Sequence, residues 1–566
     1  MQLLSTDLKR RIIWMLLSLL LMVPAVFSDF LNDDYFYNSE LYQVSSPFTY
    51  YDFLSDRENF PVPWWTDDNF KVLFFRPLSS LSLHLDYTLS PHNALPGHLQ
   101  SVAWLLILLL GAFSIFDRLL DKLSMRWALP IFSLGLFTTW AAGWISARHA
   151  LMGGAFSIWS IALFLNGIEK KRPIFTIYSL GLFALGLLSS EAALAVVPAA
   201  LLLPLIYKNN SDNTIRESLA KGLAHVLIGG IYLAFYKLGG YGACGSDLYL
   251  DPLSSPAEYL TALPSKMLAL FASFTLGLPA MMRIMPELEP VVVIGGLFSV
   301  ALLAGLFWLR RNQLSSNEQR RIKVLWIAVP LSMLPEMSGM VEGRGALLGG
   351  VLFCVLAATL LNGAFYRAGQ QKRVIKLLAV ILFAGLLVFS PLSRIAASLF
   401  IYMGASNLTR VGENALIGCS AKQDVYQINA DSLMAVMYPF ATSRYQGRVF
   451  NNWYQMGQAP RDLKLTRTSK DTLRLEAPNG VLESYLWLFR EKNSILKTKT
   501  KLINGSLRVT IVKEKNNIPT IVDFRIKELL DESICLVKTD GFLLKKQEIP
   551  QVGTSVIIPW IPPMQQ

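Results

Sequence analysis

The chain has 566 residues, of which 53% are hydrophobic and only 16% are charged, and its mean hydropathy is +0.40. Soluble domains carry about a quarter charged residues, so the composition excludes an ordinary soluble protein and indicates a lipid bilayer. The formal net charge of +12 does not indicate nucleic acid as a partner, because the basic residues lie in short loops between apolar runs.

About eleven apolar runs are candidates for membrane-spanning helices, since roughly 20 residues cross the hydrocarbon layer. The runs are 12–28, 101–116, 127–146, 150–167, 174–189, 191–207, 222–238, 288–309, 324–338, 346–365 and 377–393. Lys and Arg cluster at every second loop, as the positive-inside rule requires. The sequence therefore predicts a cytoplasmic N-terminus and a C-terminus on the opposite side.

Two segments leave the count of spans open. Residues 266–282 are apolar enough to span, but a span there would move the basic loop 310–323 to the wrong side, so we expect a re-entrant or interfacial helix. The first run also fits a cleaved signal peptide that ends near Ser28. Whether this run is a membrane helix or a signal peptide, residues 29–100 lie on the outer side of the membrane.

Two soluble pieces accompany the membrane helices. The external loop 29–100 is acidic and rich in Trp, Phe and Tyr, a composition that argues against disorder. Residues 394–566 alternate in short strand-like runs, which predicts a small β-sandwich that docks or gates an acceptor, or simply packs. We thus expect an all-α polytopic membrane domain over 1–393 and a β-rich soluble domain over 394–566.

The four cysteines show no zinc-ligand spacing. Cys419 and Cys535 can pair if their domain is exported, and a free buried pair is the alternative.

Two acidic pairs lie in the external loop. Asp33-Asp34 follows the first apolar run closely, where a carboxylate can act as a general base on an acceptor or help hold a divalent metal. A hydrated acidic turn is the alternative. Asp67-Asp68 is open to the same two interpretations, and its TDDN context favours a turn or a helix cap.

Charged residues also stand at the external ends of predicted spans. Arg148-His149 and Glu191 lie in very short turns, and Arg344, beside Glu342, precedes the run from 346. Charges at such depths are usually paired or functional. Arginine suits a phosphate because its planar fork donates two hydrogen bonds, so these turns predict a polar site at the outer leaflet; interfacial anchoring is the alternative.

The chain resembles membrane glycosyltransferases of the GT-C type, including the protein O-mannosyltransferases and the lipid A aminoarabinose transferase. The resemblance is carried by a first helix, a long acidic external loop, many short-looped helices and a C-terminal soluble domain. It is nearest to bacterial glycosyltransferase-like membrane proteins without an assigned substrate, whose strings appear here as PWWTDDNFKVLFFRPLSSLSLHLDY, GHLQSVAW, WISARHALMGG, SSEAAL, YGACGSDLYLDP and GRGALLGG.

The resemblance implies roles for individual residues. Asp33 looks like the general base and Asp34 its neighbour in binding metal or acceptor. Arg148 and Arg344 look like ligands of a donor phosphate, with His149 beside them, and Glu191 looks like the acid of a Ser-Lys-Glu string. First-loop positions that look structural or site-forming are Arg76, Asp86 and His98.

Two departures put the donor in doubt. Ser190 stands where the string has lysine, and Trp140 stands where the tetratricopeptide-bearing relatives have glutamate. No tetratricopeptide repeat follows the last predicted helix, which excludes that subfamily.

The resulting expectation is an inverting glycosyltransferase in the bacterial inner membrane, which moves a sugar from a polyprenyl-phosphate-linked donor to an extracytoplasmic acceptor. The sugar, the acceptor and any metal dependence stay open. A transporter or flippase of a lipid-linked sugar is the first alternative, and a non-catalytic membrane scaffold that recruits an enzyme through its β domain is the second.

Overall fold

The fold is taken from a computed structural model of the chain. It describes residues 6–38, 46–53, 62–207, 215–366, 373–414, 419–420, 423–430, 433–483, 487–491, 494, 496, 500–503, 507–526, 534–540 and 543–560. The predicted basic cluster around 367–372 and parts of the predicted strands, at 484–486 and 561–563, lie outside these residues.

Helices dominate the chain up to residue 414. Within the described ranges, five are long and apolar enough to cross a membrane: Leu95–Leu119, Ile145–Lys170, Pro256–Leu276, Glu289–Gln313 and Arg373–Arg410. Four shorter apolar helices are Pro173–Leu187, Glu191–Tyr207, Leu223–Leu238 and Leu347–Asn362. The chain therefore has the apolar helices of a membrane protein.

The predicted count of eleven spans is not confirmed. The predicted runs 12–28, 127–146 and 324–338 fall on helices with bounds Thr6–Leu20, Lys122–Leu134 and Ser316–Met333, followed by short turns. The second of these helices carries Pro130 and ends at Leu134, and from Gly135 on the chain continues in 3-10 and short α-helical turns. Proline and glycine interrupt a helix, and apolar composition alone does not reveal the break.

Residues 266–282 lie mostly in the helix Pro256–Leu276, which is long enough to cross. Its Lys266 donates to the carbonyl oxygens of Met337 and Gly339, and the charge of Arg283 interacts with that of Lys266. Gly277, in the left-handed region at φ 73°, turns the chain between these two basic residues. The re-entrant path stays a prediction.

The remaining helices and turns fill the space between the spans. The helical elements not given in the neighbouring paragraphs are Val23–Val26, Asp33–Tyr37, Pro77–Leu89, Leu136–Thr138, Thr139–Gly143, Ile215–Ala220, Ala280–Ile284, Leu334–Ser338, Gly385–Phe389 (one π-helical turn) and Leu433–Tyr445. We call the end of the bundle that carries residues 62–94 and 334–346 the site end.

The last long helix changes the predicted domain boundary. The chain stays helical from Ser390 to Asn414, so the boundary at 394 falls inside a helix, and the first strand of the C-terminal domain is Asp424–Gln427. Pro391 and Arg394 end the apolar run in the sequence, although the helix itself continues through the apolar residues that follow.

The C-terminal domain contains two sheets. One is antiparallel with six strands in the order Ser555–Ile558, Leu463–Ser469, Thr472–Glu476, Ile518–Ile526, Leu507–Lys515 and Thr500–Ile503. Asn516 and Asn517, both at positive φ, form the tight turn between two of its strands, as asparagine does in two-residue hairpins.

The other sheet is mixed, with the order Leu543–Lys546, Ile534–Asp540, Asp424–Gln427 and Trp453–Gln455. The last three strands are parallel, and the helix Leu433–Tyr445 connects two of them. Parallel neighbours require such a crossover, so this part of the domain departs from the predicted β-sandwich. A disulfide joins Cys419 to Cys535.

The external loop packs on the C-terminal domain rather than on the helices alone. Strands Asp52–Phe53, Lys71–Leu73 and Gly242–Cys244 form a small sheet. Phe30, Trp64 and Trp65 share one hydrophobic core with Phe524 and other residues of the large sheet. A separate core joins the membrane helices. The aromatic residues of the loop therefore pack the C-terminal domain against the site end.

Candidate active site

Asp33 begins the short helix Asp33–Tyr37 and is only partly buried. Its Oδ1 accepts a hydrogen bond of 2.9 Å from the Tyr438 hydroxyl, which comes from the C-terminal domain. Burial raises the pKa of Asp33, while the Tyr438 hydrogen bond and the charge of Arg344 lower it. A carboxylate with a raised pKa is a stronger base than an ordinary aspartate.

Arg344 lies within electrostatic range of Asp33. Its Nε is 3.3 Å from Glu342 Oε2, and its guanidinium lies 5.0 Å from the ring centroid of Trp144. Among the described residues, no hydrogen-bond acceptor contacts its two terminal nitrogens, and 15% of its side chain is exposed. The guanidinium fork is therefore available to a ligand.

The loop that carries Arg344 is held by Glu336. Its Oε1 accepts from the backbone N–H groups of Glu342 (3.0 Å) and Gly343 (2.9 Å), and its Oε2 accepts from Gly345 (2.6 Å). A Cβ at Gly345 would overlap this carboxylate, and Gly343 has φ 88°. The glycines of GRG therefore permit the tight wrap that presents Arg344.

A second arginine at the site end is already paired. Arg76 Nε donates 2.8 Å to Glu191 Oε2, a second N–H of Arg76 bonds the other carboxylate oxygen, and its guanidinium lies over Phe74 at 4.2 Å. The charge of Glu191 also interacts with that of Arg344. This pair therefore borders the space around Arg344, and Glu191 has an arginine partner although the string lacks its lysine.

Arg148 differs from Arg344 in its surroundings. Only 1% of its side chain is exposed, and it forms an ion pair with Asp86. Its other N–H groups donate to oxygens of neighbouring residues, which are Ser82, Gly97, Gln100 and Ser101. Since these bonds occupy the guanidinium, the geometry favours a structural role for Arg148. A phosphate-binding role for either arginine stays a prediction.

Asp34 is fully buried, unlike its neighbour Asp33. It accepts from the backbone N–H of Ser146 (2.8 Å), the Ser146 hydroxyl, Tyr87 (3.1 Å) and the backbone N–H of Leu31 (3.0 Å). Burial raises the pKa of Asp34 to about 7, against the opposing effect of these hydrogen bonds. Its contacts favour a role in fixing the loop rather than in contacting a substrate.

The two predicted histidines have protein partners. His149 Nδ1 is 3.4 Å from the Ser190 hydroxyl, and its ring lies edge-on to Tyr51 near Arg76 and Arg344. His98 is buried, and its Nε2 is 3.3 Å from the Ser28 hydroxyl, so it joins the long helix Leu95–Leu119 to the first segment. His149 therefore borders the site, and His98 lies behind it.

Asp67 and Asp68 form a turn that contacts the C-terminal domain. Asp67 Oδ1 accepts from the backbone N–H of Asn69 (2.9 Å), its own N–H donates to Phe489 O (2.8 Å), and Asp68 is 3.3 Å from Lys501 Nζ. These contacts favour the turn interpretation of the TDDN string. Across the described ranges, no three His, Cys, Asp or Glu side chains are grouped to hold a metal ion.

Sequence reasoning missed two residues of this site. Tyr438 lies in the run MAVMYPF, which has no polar pattern, and its contact with Asp33 spans 405 positions. Glu336 is a lone acid near the end of a predicted span. Its position was the signal that could have found it, because acids buried there are usually paired or functional. Both were hidden because their importance depends on tertiary contacts.

The chain was compared with known proteins. No family model and no curated protein matches it. Solved structures of the oligosaccharyltransferase of Archaeoglobus fulgidus do match, at 11–12% identity over 79% of this chain. The TM-score is 0.39 for the form tethered to an acceptor peptide, 0.37 for the complex with Zn and sulfate, and 0.38 for the apo form.

This chain spans 62–64% of the length of those structures. Scores below 0.5 do not establish a common fold, so these matches assign neither fold nor activity to this chain. The GT-C resemblance and the relation to protein O-mannosyltransferases stay predictions.

Both arginines pair with an acid, but the number of hydrogen bonds that each one makes leads to different expectations for stability. Arg148→Ala leaves Asp86 as a partly buried acid without its cation, and removing one partner of a buried pair costs roughly 3–5 kcal/mol. Arg344→Ala also leaves a buried acid, Glu342, without its cation, but it removes one contact rather than the several hydrogen bonds of Arg148, so it should cost less stability. Thermal unfolding of both variants in the same detergent measures the difference, and equal melting temperatures would contradict these assignments.

Proposed function

We propose that this protein is a membrane glycosyltransferase that moves a sugar from a polyprenyl-phosphate-linked donor to an extracytoplasmic acceptor. One observation carries the proposal: Asp33, a half-buried residue whose pKa is raised, lies within electrostatic range of Arg344, whose terminal nitrogens contact no acceptor among the described residues. A base and a phosphate ligand in one place are what such a transfer requires.

The proposed reaction is a single displacement. Asp33 removes the proton from an acceptor O–H or N–H as that atom bonds the anomeric carbon, and the bond from this carbon to the phosphate oxygen breaks. The electron pair leaves with the polyprenyl phosphate, whose added negative charge Arg344 stabilises. Attack opposite the leaving group inverts the anomeric centre, and the proton on Asp33 passes to water afterwards.

The environment of each group supports its proposed role. Tyr438 orients the Asp33 carboxylate through their hydrogen bond, and Glu336 holds the backbone on both sides of Arg344. Arg76, paired with Glu191, and His149 border the donor phosphate in this proposal. Preorganised groups accelerate transfer because they need not reorient during the reaction.

We further propose a bacterial inner membrane protein whose N-terminus is cytoplasmic and whose C-terminal domain is periplasmic. The distribution of Lys and Arg among the loops supports this orientation. The disulfide between Cys419 and Cys535 also supports it, since such bonds persist in oxidising compartments.

The role of Asp33 is tested by Asp33→Asn, which keeps the size of the side chain but removes its basicity. The rate of sugar transfer from a labelled polyprenyl-phosphate donor to a membrane extract should fall about 10²–10⁴-fold, the usual contribution of a general base. Donor binding and melting temperature should stay near those of the wild type.

Asp67→Asn is the matched control, because it makes the same change in the turn that contacts Phe489. It should transfer sugar at nearly the wild-type rate. Near-normal transfer by a folded Asp33→Asn protein would remove Asp33 from the mechanism. A wild type that binds donor and never releases sugar would point instead to transport.

The role of Arg344 is tested by donor affinity. A hydrogen bond to a charged group contributes about 1.5–3 kcal/mol, so Arg344→Ala should weaken binding of the polyprenyl-phosphate donor roughly tenfold to a hundredfold. Arg344→Lys should restore only part of the affinity, since lysine lacks the fork. Titration of the purified protein with donor measures both.

Arg410→Ala is a suitable control, because this arginine lies near the end of the helix Ser390–Asn414, outside the loop that carries Arg344. Its donor affinity should not change. Equal affinity in the wild type and Arg344→Ala would sink the phosphate assignment.

A further inference from the structure

The string YGACGSDLYLDP begins beside the small sheet of the external loop and leads back to the site end. Within it, the backbone N–H of Asp247 donates to Trp487 O (2.9 Å), which belongs to the C-terminal domain. The backbone N–H of Leu250 donates to Ser338 O (2.7 Å), at the end of the bundle. The chain is therefore fixed on both sides of Tyr249, the residue that lies between these two bonds.

The ring of the half-buried Tyr249 lies against two loops of the site. It meets the ring of Phe74 edge-on, with 5.3 Å between the centroids, and Phe74 in turn lies under the guanidinium of Arg76 at 4.2 Å. On the other side of the site, a Cβ placed on Gly339 would lie 3.6 Å from the Tyr249 ring. The ring is thus held by the external loop and by the loop that presents Arg344.

The hydroxyl of Tyr249 lies within electrostatic range of both groups of the proposed transfer. Burial raises the pKa of Tyr249, the charge of Arg344 lowers it, and the charge of Asp33 raises it. The nearby Tyr438 donates its own hydroxyl to Asp33, whereas none of the described residues forms a hydrogen bond with the Tyr249 hydroxyl. Since a phenol can both donate and accept, this hydroxyl suits a polar group of a ligand.

The proposed displacement places the sugar between the two reacting groups. Its anomeric carbon lies between the acceptor atom, which meets Asp33, and the phosphate oxygen, which meets Arg344. A side chain within range of both groups therefore lies beside the sugar ring. Tyrosine combines an apolar ring with a polar tip, and a sugar likewise combines an apolar carbon frame with projecting hydroxyls, so the two are chemically matched.

We infer that Tyr249 binds the sugar of the donor, with its hydroxyl hydrogen-bonded to one sugar hydroxyl, and so helps to determine which sugar is transferred. The inference rests on the proposed function and assigns a residue to the part of the donor that neither Asp33 nor Arg344 recognises. A sugar that lacks this hydroxyl binds more weakly, because the polar tip of Tyr249 then loses its partner.

Tyr249→Phe tests the inference, because it removes the hydroxyl and keeps the ring that contacts Phe74. The full-length protein in detergent is titrated with undecaprenyl phosphate and with undecaprenyl phosphate that carries glucose, mannose or galactose. Tyr249→Phe should bind the probe that the wild type prefers roughly twofold to tenfold more weakly, the usual loss for one neutral hydrogen bond. Its affinity for undecaprenyl phosphate, which has no sugar, should stay at the wild-type value. Equal melting temperatures show that the variant is folded.

Tyr241→Phe is the matched control, since it makes the same change in the same string, at a ring that packs against Phe75 and Phe235. It should leave all four affinities unchanged. Monodeoxy analogues of the preferred sugar then identify the bonded position. For one analogue, the wild type and Tyr249→Phe should bind with nearly equal affinity, because the same hydrogen bond is lost in both.

Unchanged affinity of Tyr249→Phe for the preferred probe, or an equal loss with and without the sugar, would overturn the inference and leave the proposed function in place. The same holds if the wild type binds undecaprenyl phosphate as tightly as every probe that carries a sugar. A wild type that binds none of the four probes would contradict the proposed function, and the inference would fall with it.

Discussion

The site depends on the buried ion pair that joins the external loop to the helix bundle. Asp86 stands on the loop helix Pro77–Leu89 and Arg148 begins a membrane helix, so their contact fixes one element against the other. Such a pair adds little net stability, because both charges lose their hydration, but it strongly disfavours arrangements that separate them. Its main effect is therefore to select one position of the loop.

The two consecutive acids Asp33 and Asp34 have different surroundings. Successive residues in a helix point about 100° apart, so Asp34 turns inward to Ser146 while Asp33 turns toward Tyr438 and Arg344. Asp34 anchors the short helix beside the Arg148 segment. Asp33 then lies in a fixed direction, which is the condition for a base that must meet an acceptor proton.

The C-terminal domain takes part in this arrangement. Its helix Leu433–Tyr445 supplies Tyr438, and the aromatic residues of the external loop fill the core beneath its large sheet. The external loop, the membrane helices and the C-terminal domain, which are far apart in sequence, thus meet at the site. In the proposed reaction, the acceptor reaches Asp33 at the junction of the loop and this domain.

Much of this was predictable from residue types and their spacing. Apolar length predicts most of the helices, and the charges at helix ends predict that Glu191 and Arg344 lie together, whereas Arg76 was expected there only from the resemblance. Sequence does not reveal which charges pair: Arg148 and Arg344 look alike until the structure shows that Asp86 and neighbouring oxygens occupy the N–H groups of Arg148. Tyr438 and the parallel strands were not predicted, because contacts between residues far apart in the sequence define both.

The account is tested most directly by the dependence of kcat/KM on pH in the wild type and in Tyr438→Phe. Asp33 acts in its deprotonated form, so activity should be lost as pH falls through its pKa, which burial raises. The Tyr438 hydroxyl stabilises the carboxylate, so its removal raises that pKa further. The acidic limb of the Tyr438→Phe profile should therefore move to higher pH, and an unmoved limb would contradict the assignment of Asp33 as the base.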